Sequence, residues 1–214
     1  MEIYKPKGYK VQPRSTKEIA TMASSVRTVL GIGDFEQVDV VKVVECTLAR
    51  LFEKNGYIGI ITRPDEEMCG AYAKLVVRKD CSYIEVAESV YLGASEGNAR
   101  DRFTLAHELG HFCLDHYVGF ARNGKDEDHR PFEDSEWQAN CFAGEFLAPS
   151  SAIAQEDMSI DEIVDRYNVS AHAASIQIER AQNTKGNRVA ARSPLYPRWR
   201  VGADTCNFSV ASAL

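Results

Sequence analysis

His107, Glu108 and His111 belong to a His-Glu-Leu-Gly-His run whose flanks, Arg-Phe-Thr-Leu-Ala before it and Phe-Cys-Leu-Asp-His after it, have helical texture. On an α-helix, positions four apart return to nearly the same side, so the imidazoles of His107 and His111 project toward one point. Two neutral imidazoles at that separation suit Zn²⁺, and a glutamate beside the first can hold and deprotonate a water that the metal carries. A catalytic zinc also needs a third protein ligand and an open position for water. The stretch from Glu136 to Pro149 offers that ligand on a second helix. Glu136, Asn140 and Ala143 share one of its faces, at i, i+4 and i+7, polar at one end and small at the other. Glu136 can give a carboxylate oxygen, while Asn140, one turn on, can accept a hydrogen bond from a ligand imidazole and fix its tautomer. Glu133, Asp134 and Asp115 are rival carboxylates for the third position. His116 lies five residues past His111, rotated off the ligand face, and reads as a neighbour of the site or as surface. His116, Tyr117 and His129 are the candidate donors to a developing oxyanion.

These groups need a frame, and the hydropathy pattern supplies one. Residues 1–17 carry Lys5, Lys7, Lys10, Arg14 and Lys17 with two prolines and read as an extended, solvated arm. Ile19, Met22, Ala23, Val26, Val29 and Leu30 mark a helix from Thr16, and Asp39 can cap a second one with a stripe from Val40 to Leu51. Texture then changes to three strands: Tyr57–Thr62, Ala71–Arg78 and Ser82–Ala87, the last two joined through Lys79-Asp80-Cys81 in hairpin style. They predict a small, mostly antiparallel sheet. Residues 93–98 read as a turn with cap candidates Ser95 and Asn98, followed by the motif helix from Ala99 to about Asp115. Gly110 within it costs about 1 kcal/mol relative to Ala in a helix interior. Its expected purpose is close approach of another backbone. A charge-dense loop covers 118–134, a second helix runs from about Asp134 to Ala148, and two more are expected at Ile160–Tyr167 and from Ser170 to about Gln182.

The fold expected is therefore α+β, a small three-stranded sheet packed on helices, within 214 residues that can bury a real core. Three parts are anticipated: an arm over 1–17, a domain over 18–182 (core 57–149, helical part 150–182), and a basic tail over 183–214. A 44% apolar and 26% charged composition is that of a globular protein without a membrane span. The net charge of −6 argues against a dedicated nucleic-acid binder. Ile160–Arg180 has a helix-turn-helix flavour, but Asp157, Asp161, Glu162 and Asp165 make it a poor DNA reader and a better packing element. The first residues lack the apolar core of an export signal, so a cytoplasmic location is expected. The six scattered cysteines are then reduced thiols, with Cys113 and Cys141 near the site read as small buried hydrophobes rather than ligands.

Arg-Phe-Thr-Leu-Ala-His-Glu-Leu-Gly-His at 102–111, Glu-x-x-Ala-Asn-x-Phe-Ala at 136–143 and Leu-x-Pro at 147–149 together resemble the ImmA/IrrE-type zinc metallopeptidases. The resemblance is strong over 99–149 and fainter on both sides. It implies a zincin-like catalytic core, with His107, His111 and Glu136 as zinc ligands and Glu108 as the catalytic acid/base. It further implies a protein substrate, a helix-turn-helix transcriptional repressor. Phe146-Leu-Ala-Pro149 departs from the family's usual Leu-Leu-Met-Pro-like stop, and the tail after 183 is unusual for it. A competing expectation is a non-proteolytic regulator of the same fold with a structural or absent metal.

Overall fold

Ser15 opens the first helix with a reciprocal capping box, its hydroxyl accepting from the Glu18 N–H while the Glu18 carboxylate accepts from the Ser15 N–H. A computed structural model describes residues 8–48, 57–78, 81–116 and 129–185. In it α1 (Thr16–Val29) buries Ile19, Met22, Ala23 and Val26 along one face, the period read from the sequence. Asp39 caps a single α-turn, α2 (Val40–Lys42), that runs on as a π-helix over Val43–Leu48. Val40, Val44 and Leu48 of this stretch are buried.

Three strands follow: β1 (Tyr57–Arg63), β2 (Ala73–Val77) and β3 (Cys81–Ala87), in the order β1-β3-β2. The pairing corrects the mostly antiparallel expectation, because the sheet is mixed. β2 and β3 form the antiparallel hairpin, whereas β1 runs parallel to β3, Ile60 opposite Ile84. The cause is the link between β1 and β2, a 3₁₀ turn at Asp65–Met68 closed by left-handed Cys69 and Gly70. It carries the chain one strand position outward, and the hairpin then returns β3 to the gap. Residues 79 and 80 of the hairpin turn lie outside the described residues. Ile58, Ile84 and Val86 are buried beneath the sheet.

β3 passes directly into α3 (Glu88–Ser95), which takes up part of the stretch read as a turn. Its N-cap is Ala87, which has no capping side chain, and the Ser89 N–H donates instead to the Asp65 carboxylate at 3.0 Å, so no local capping signal announces it. Asn98 caps α4 (Ala99–Cys113), accepting from the Arg100 and Asp101 N–H groups. After a 3₁₀ turn at Pro131–Glu133, Asp134 caps α5 (Ser135–Leu147) through the Glu136 and Trp137 N–H groups. Pro149 does stop α5, but as the N-cap of α6 (Ser150–Glu156), a further helix where only a stop is expected. α7 (Ile160–Tyr167) and α8 (Ala171–Lys185) complete the set, joined through left-handed Asn168. α8 packs on α6 and α7. Ile163, Tyr167, Ala174 and Ala181 point inward, so this pair is a packing element.

Two buried guanidiniums tie the layers together. Arg102 of α4 donates to the carbonyls of Tyr167 (3.1 Å), Asn168 and Val38 (2.8 Å). Arg27 of α1 donates to those of Phe146 (2.6 Å), Glu36 (2.7 Å) and Gly33. Residues 8–14, read as solvated, are instead docked. Gly8 N–H donates to Asp134, Tyr9 exchanges hydrogen bonds with Ser135, and Lys10 forms a bridge with Asp134. Nearly all of these bonds on the arm's side are main-chain bonds, which leave no mark in hydropathy. Among the described residues no helix is long and apolar enough to cross a membrane.

Candidate metal centre

α4 and α5 pack face to face at Gly110, where a Cβ would stand 3.1 Å from the Ala139 carbonyl oxygen and 3.3 Å from its Cα. The close approach expected from a glycine in mid-helix is therefore that of the α5 main chain. It sets the facing side chains one turn above within reach of each other.

There His107, His111 and Glu136 converge, with one ligand atom from each within 4.8 Å of the others. The two Nε2 atoms are 3.0 Å apart; His107 Nε2 lies 3.2 Å from one Glu136 oxygen and His111 Nε2 3.3 Å from the other. The rival carboxylates are engaged elsewhere. Asp134 caps α5 and pairs with His129, and Glu133 accepts from the Arg130 N–H. Asp115 sits in a left-handed turn beyond the helix end, with φ at +56°. Cys113 and Cys141 are buried, and burial pushes both thiols up, Cys141 to about 11. They behave as the small apolar residues expected of them.

Outer partners turn the imidazoles. His107 Nδ1 is 3.0 Å from Asn140 Oδ1, an acceptor, so Nδ1 carries the proton and the Nε2 lone pair faces the cluster. His111 Nδ1 meets His116 Nδ1 at 2.9 Å, and His116 Nε2 meets Gln138 Oε1 at 3.1 Å. His116 is buried rather than surface, because the helix ends at Cys113 and the left-handed turn at Asp115 brings the chain back. Helical geometry alone rotates it away, so spacing left open whether it neighbours the site or lies at the surface; it neighbours the site. Burial, together with the neighbouring His111, pushes its pKa down to about 3.

Charge in the cluster is strongly coupled. Burial works against the ionised Glu136, but the two imidazoles outweigh it and hold the carboxyl well below the usual range. Burial likewise works against protonated His107, yet Glu136 and the Glu108 charge raise its pKa above that of an ordinary histidine. Two imidazole nitrogens and a carboxylate, each with its lone pairs turned to one point, form a donor set that fits a catalytic zinc with one position left open.

Glu108 is nearly buried and directs its carboxylate to the sheet, accepting from the Leu75 N–H at 2.7 Å. Tyr72 and Arg78 pair inward with Ala87 and Cys81, so alternation turns the main-chain groups of Ala73, Leu75 and Val77 to the free edge of β2. That edge runs beside the motif helix. A main-chain N–H has no signature in a sequence, and neither Leu75 nor Gln138 was legible as part of the site. Of the oxyanion candidates, His116 is committed to His111 and Gln138. His129 is enclosed with Asp134, neither side chain exposed, and Tyr117 lies outside the described residues.

A two-helix His-His-Glu cluster lies beside a sheet edge that no strand covers among the described residues, the arrangement of a zincin-like site that could hold a metal. Residues 61–179, more than half of the chain, match the family model for the IrrE N-terminal-like domain, Peptidase M78, and the chain belongs to that metallopeptidase family. No curated protein matches it. Among solved structures it is similar to a Mycobacterium tuberculosis transcriptional regulator at 18% identity and a TM-score of 0.47. The match covers 74% of this chain and 45% of that one, so the chain spans less than half of that relative's length.

Proposed function

We propose that this protein is a zinc metalloendopeptidase that cleaves a cytoplasmic protein substrate, a helix-turn-helix transcriptional repressor. The convergence of His107, His111 and Glu136, with Glu108 adjacent on the same helix, carries this reading, and the M78 family supports it. When bound, Zn²⁺ supplies Lewis acidity, lowering the pKa of a water toward about 7 and polarising the scissile carbonyl. His107, His111 and Glu136 would hold the ion, and Asn140 keeps the His107 Nε2 turned toward the cluster. Glu108 accepts the proton of the attacking water and returns it to the leaving amine. The outward main-chain groups of Ala73 and Val77, with the Leu75 carbonyl, hold the substrate extended along β2, while the Leu75 N–H stays with Glu108.

Comparison of the zinc-loaded wild type with Glu108→Gln, each incubated with helix-turn-helix repressors from the same genome, tests the assignment. The variant is expected to keep its zinc and lose cleavage by about 10²–10⁴-fold. A repressor that disappears equally with both proteins rules out Glu108-dependent hydrolysis.

A further inference from the structure

Gln138 is fully buried on α5, and its Nε2 donates to the carbonyl oxygens of Gln12 at 2.8 Å and Phe132 at 2.7 Å. Carbonyl oxygens only accept, so the orientation of the amide is fixed and its Oε1 faces His116. Oε1 must then receive the Nε2 proton of His116 at 3.1 Å. An uncharged His116 is left with a lone pair at Nδ1, which accepts from His111 Nδ1 at 2.9 Å. His111 in turn keeps the lone pair of Nε2, the atom turned toward His107 and Glu136. For His107 a single residue, Asn140, imposes that polarity. For His111 the same result takes a relay of two side chains that ends on the main chain of the arm.

The arm reaches the third ligand as well. Gly8 lies so close to α5 that a Cβ would stand 2.8 Å from both the Glu136 N and its Cγ, and 2.3 Å from Ser135 Oγ. Arg14 donates to the Leu114 carbonyl at 2.6 Å, two residues before His116. The arm therefore spans the two helix ends that carry the cluster.

We propose that His116 and Gln138 are positioning residues for His111, and that the docked segment 8–14 sets the metal affinity of the centre through them and through its contact with Glu136. The proposal rests on the reading of His107, His111 and Glu136 as metal ligands.

Zinc affinity of the full chain, measured by competition with a chelating dye, tests it. His116→Phe and Gln138→Leu are expected to weaken zinc binding about 10–100-fold. Gly8→Val, which touches neither relay residue, is expected to weaken it in the same direction. His107→Ala is expected to lose zinc altogether. If His107→Ala loses zinc while His116→Phe and Gln138→Leu bind as the wild type does, the relay is refuted and the ligand assignment stands. Should Gly8→Val alone weaken binding, the arm acts on Glu136 directly and the relay is again refuted. Full zinc affinity in His107→Ala removes the ligand assignment and the proposal with it. Long-range ¹H–¹⁵N spectra of the wild type give a readout that needs no variant. The proton is expected on Nδ1 of His111 and on Nε2 of His116, and the opposite tautomer on either ring overturns the relay.

Discussion

Asn140 illustrates how much a single polar atom can decide at the residue scale. Its Oδ1 accepts the His107 Nδ1 proton at 3.0 Å, which leaves Nε2 with a lone pair facing the cluster. Asn140→Leu keeps the approximate volume and removes the acceptor. It is expected to weaken zinc binding about 10-fold or more, with the fold intact, as followed by dye competition alongside circular dichroism. His107, Glu108, His111, Glu136 and Asn140 were readable because helical spacing is local: i, i+4 arithmetic applies wherever the helix does. His116 was readable only as a neighbour of the site or as surface, because its position depends on where the helix stops, and Leu75 escaped because its contribution is an amide proton rather than a side chain.

At the scale of elements, the α4–α5 contact depends on a missing side chain. Gly110→Leu replaces a close approach to the Ala139 main chain with four carbons that cannot be accommodated. Overpacking of about 1–3 kcal/mol is expected, greater than the roughly 1 kcal/mol that helix propensity returns, and denaturant titration measures the balance. The α5–α6 joint holds a second strained feature. Glu145 is buried and accepts from the Ser150 N–H and hydroxyl, with Arg180 3.8 Å away; burial raises its pKa. A carboxyl whose folded pKa exceeds its unfolded one contributes stability below the ordinary carboxylate range, and this is lost as pH rises through the raised value. Glu145→Gln is therefore expected to melt higher than the wild type at about pH 8, with the gap closing near pH 4. Thermal melts across that range check the sign. α1, α4, α5 and α7 were legible from caps and periodicity. α3 was not, since its capping carboxylate, Asp65, comes from far back in the chain, and α6 was hidden by Pro149, read as a stop although it also starts the next helix. Strand identity was likewise local, while the parallel β1–β3 pairing depends on a link that carries no pairing code.

The whole molecule is held by contacts between distant segments, and Arg102 joins three of them. Arg102→Met leaves the carbonyls of Val38, Tyr167 and Asn168 without this donor in the interior. A loss of about 2–5 kcal/mol with an unchanged denaturant slope is expected in urea unfolding. Zinc should act in the opposite direction. A ligand that binds only the folded chain adds about 2.7 kcal/mol at 100 times its dissociation constant, so addition of chelator should lower the melting temperature of the wild type and not of His107→Ala. The docked arm and the mixed sheet are likewise properties of the whole, set by contacts between segments far apart in the chain.

The hydrogen bond from Leu75 N–H to Glu108 also protects the chain from itself. β2 is an edge strand, and an edge with open main-chain groups is a template for a neighbouring copy. The Glu108 carboxylate occupies one of the donors of that edge, so a strand added from another copy would gain one main-chain bond fewer. The choice of inactive variant follows from this: Glu108→Gln retains an acceptor for Leu75, whereas Glu108→Ala uncovers the edge and is expected to associate at concentrations where the wild type stays dispersed, a difference visible by light scattering.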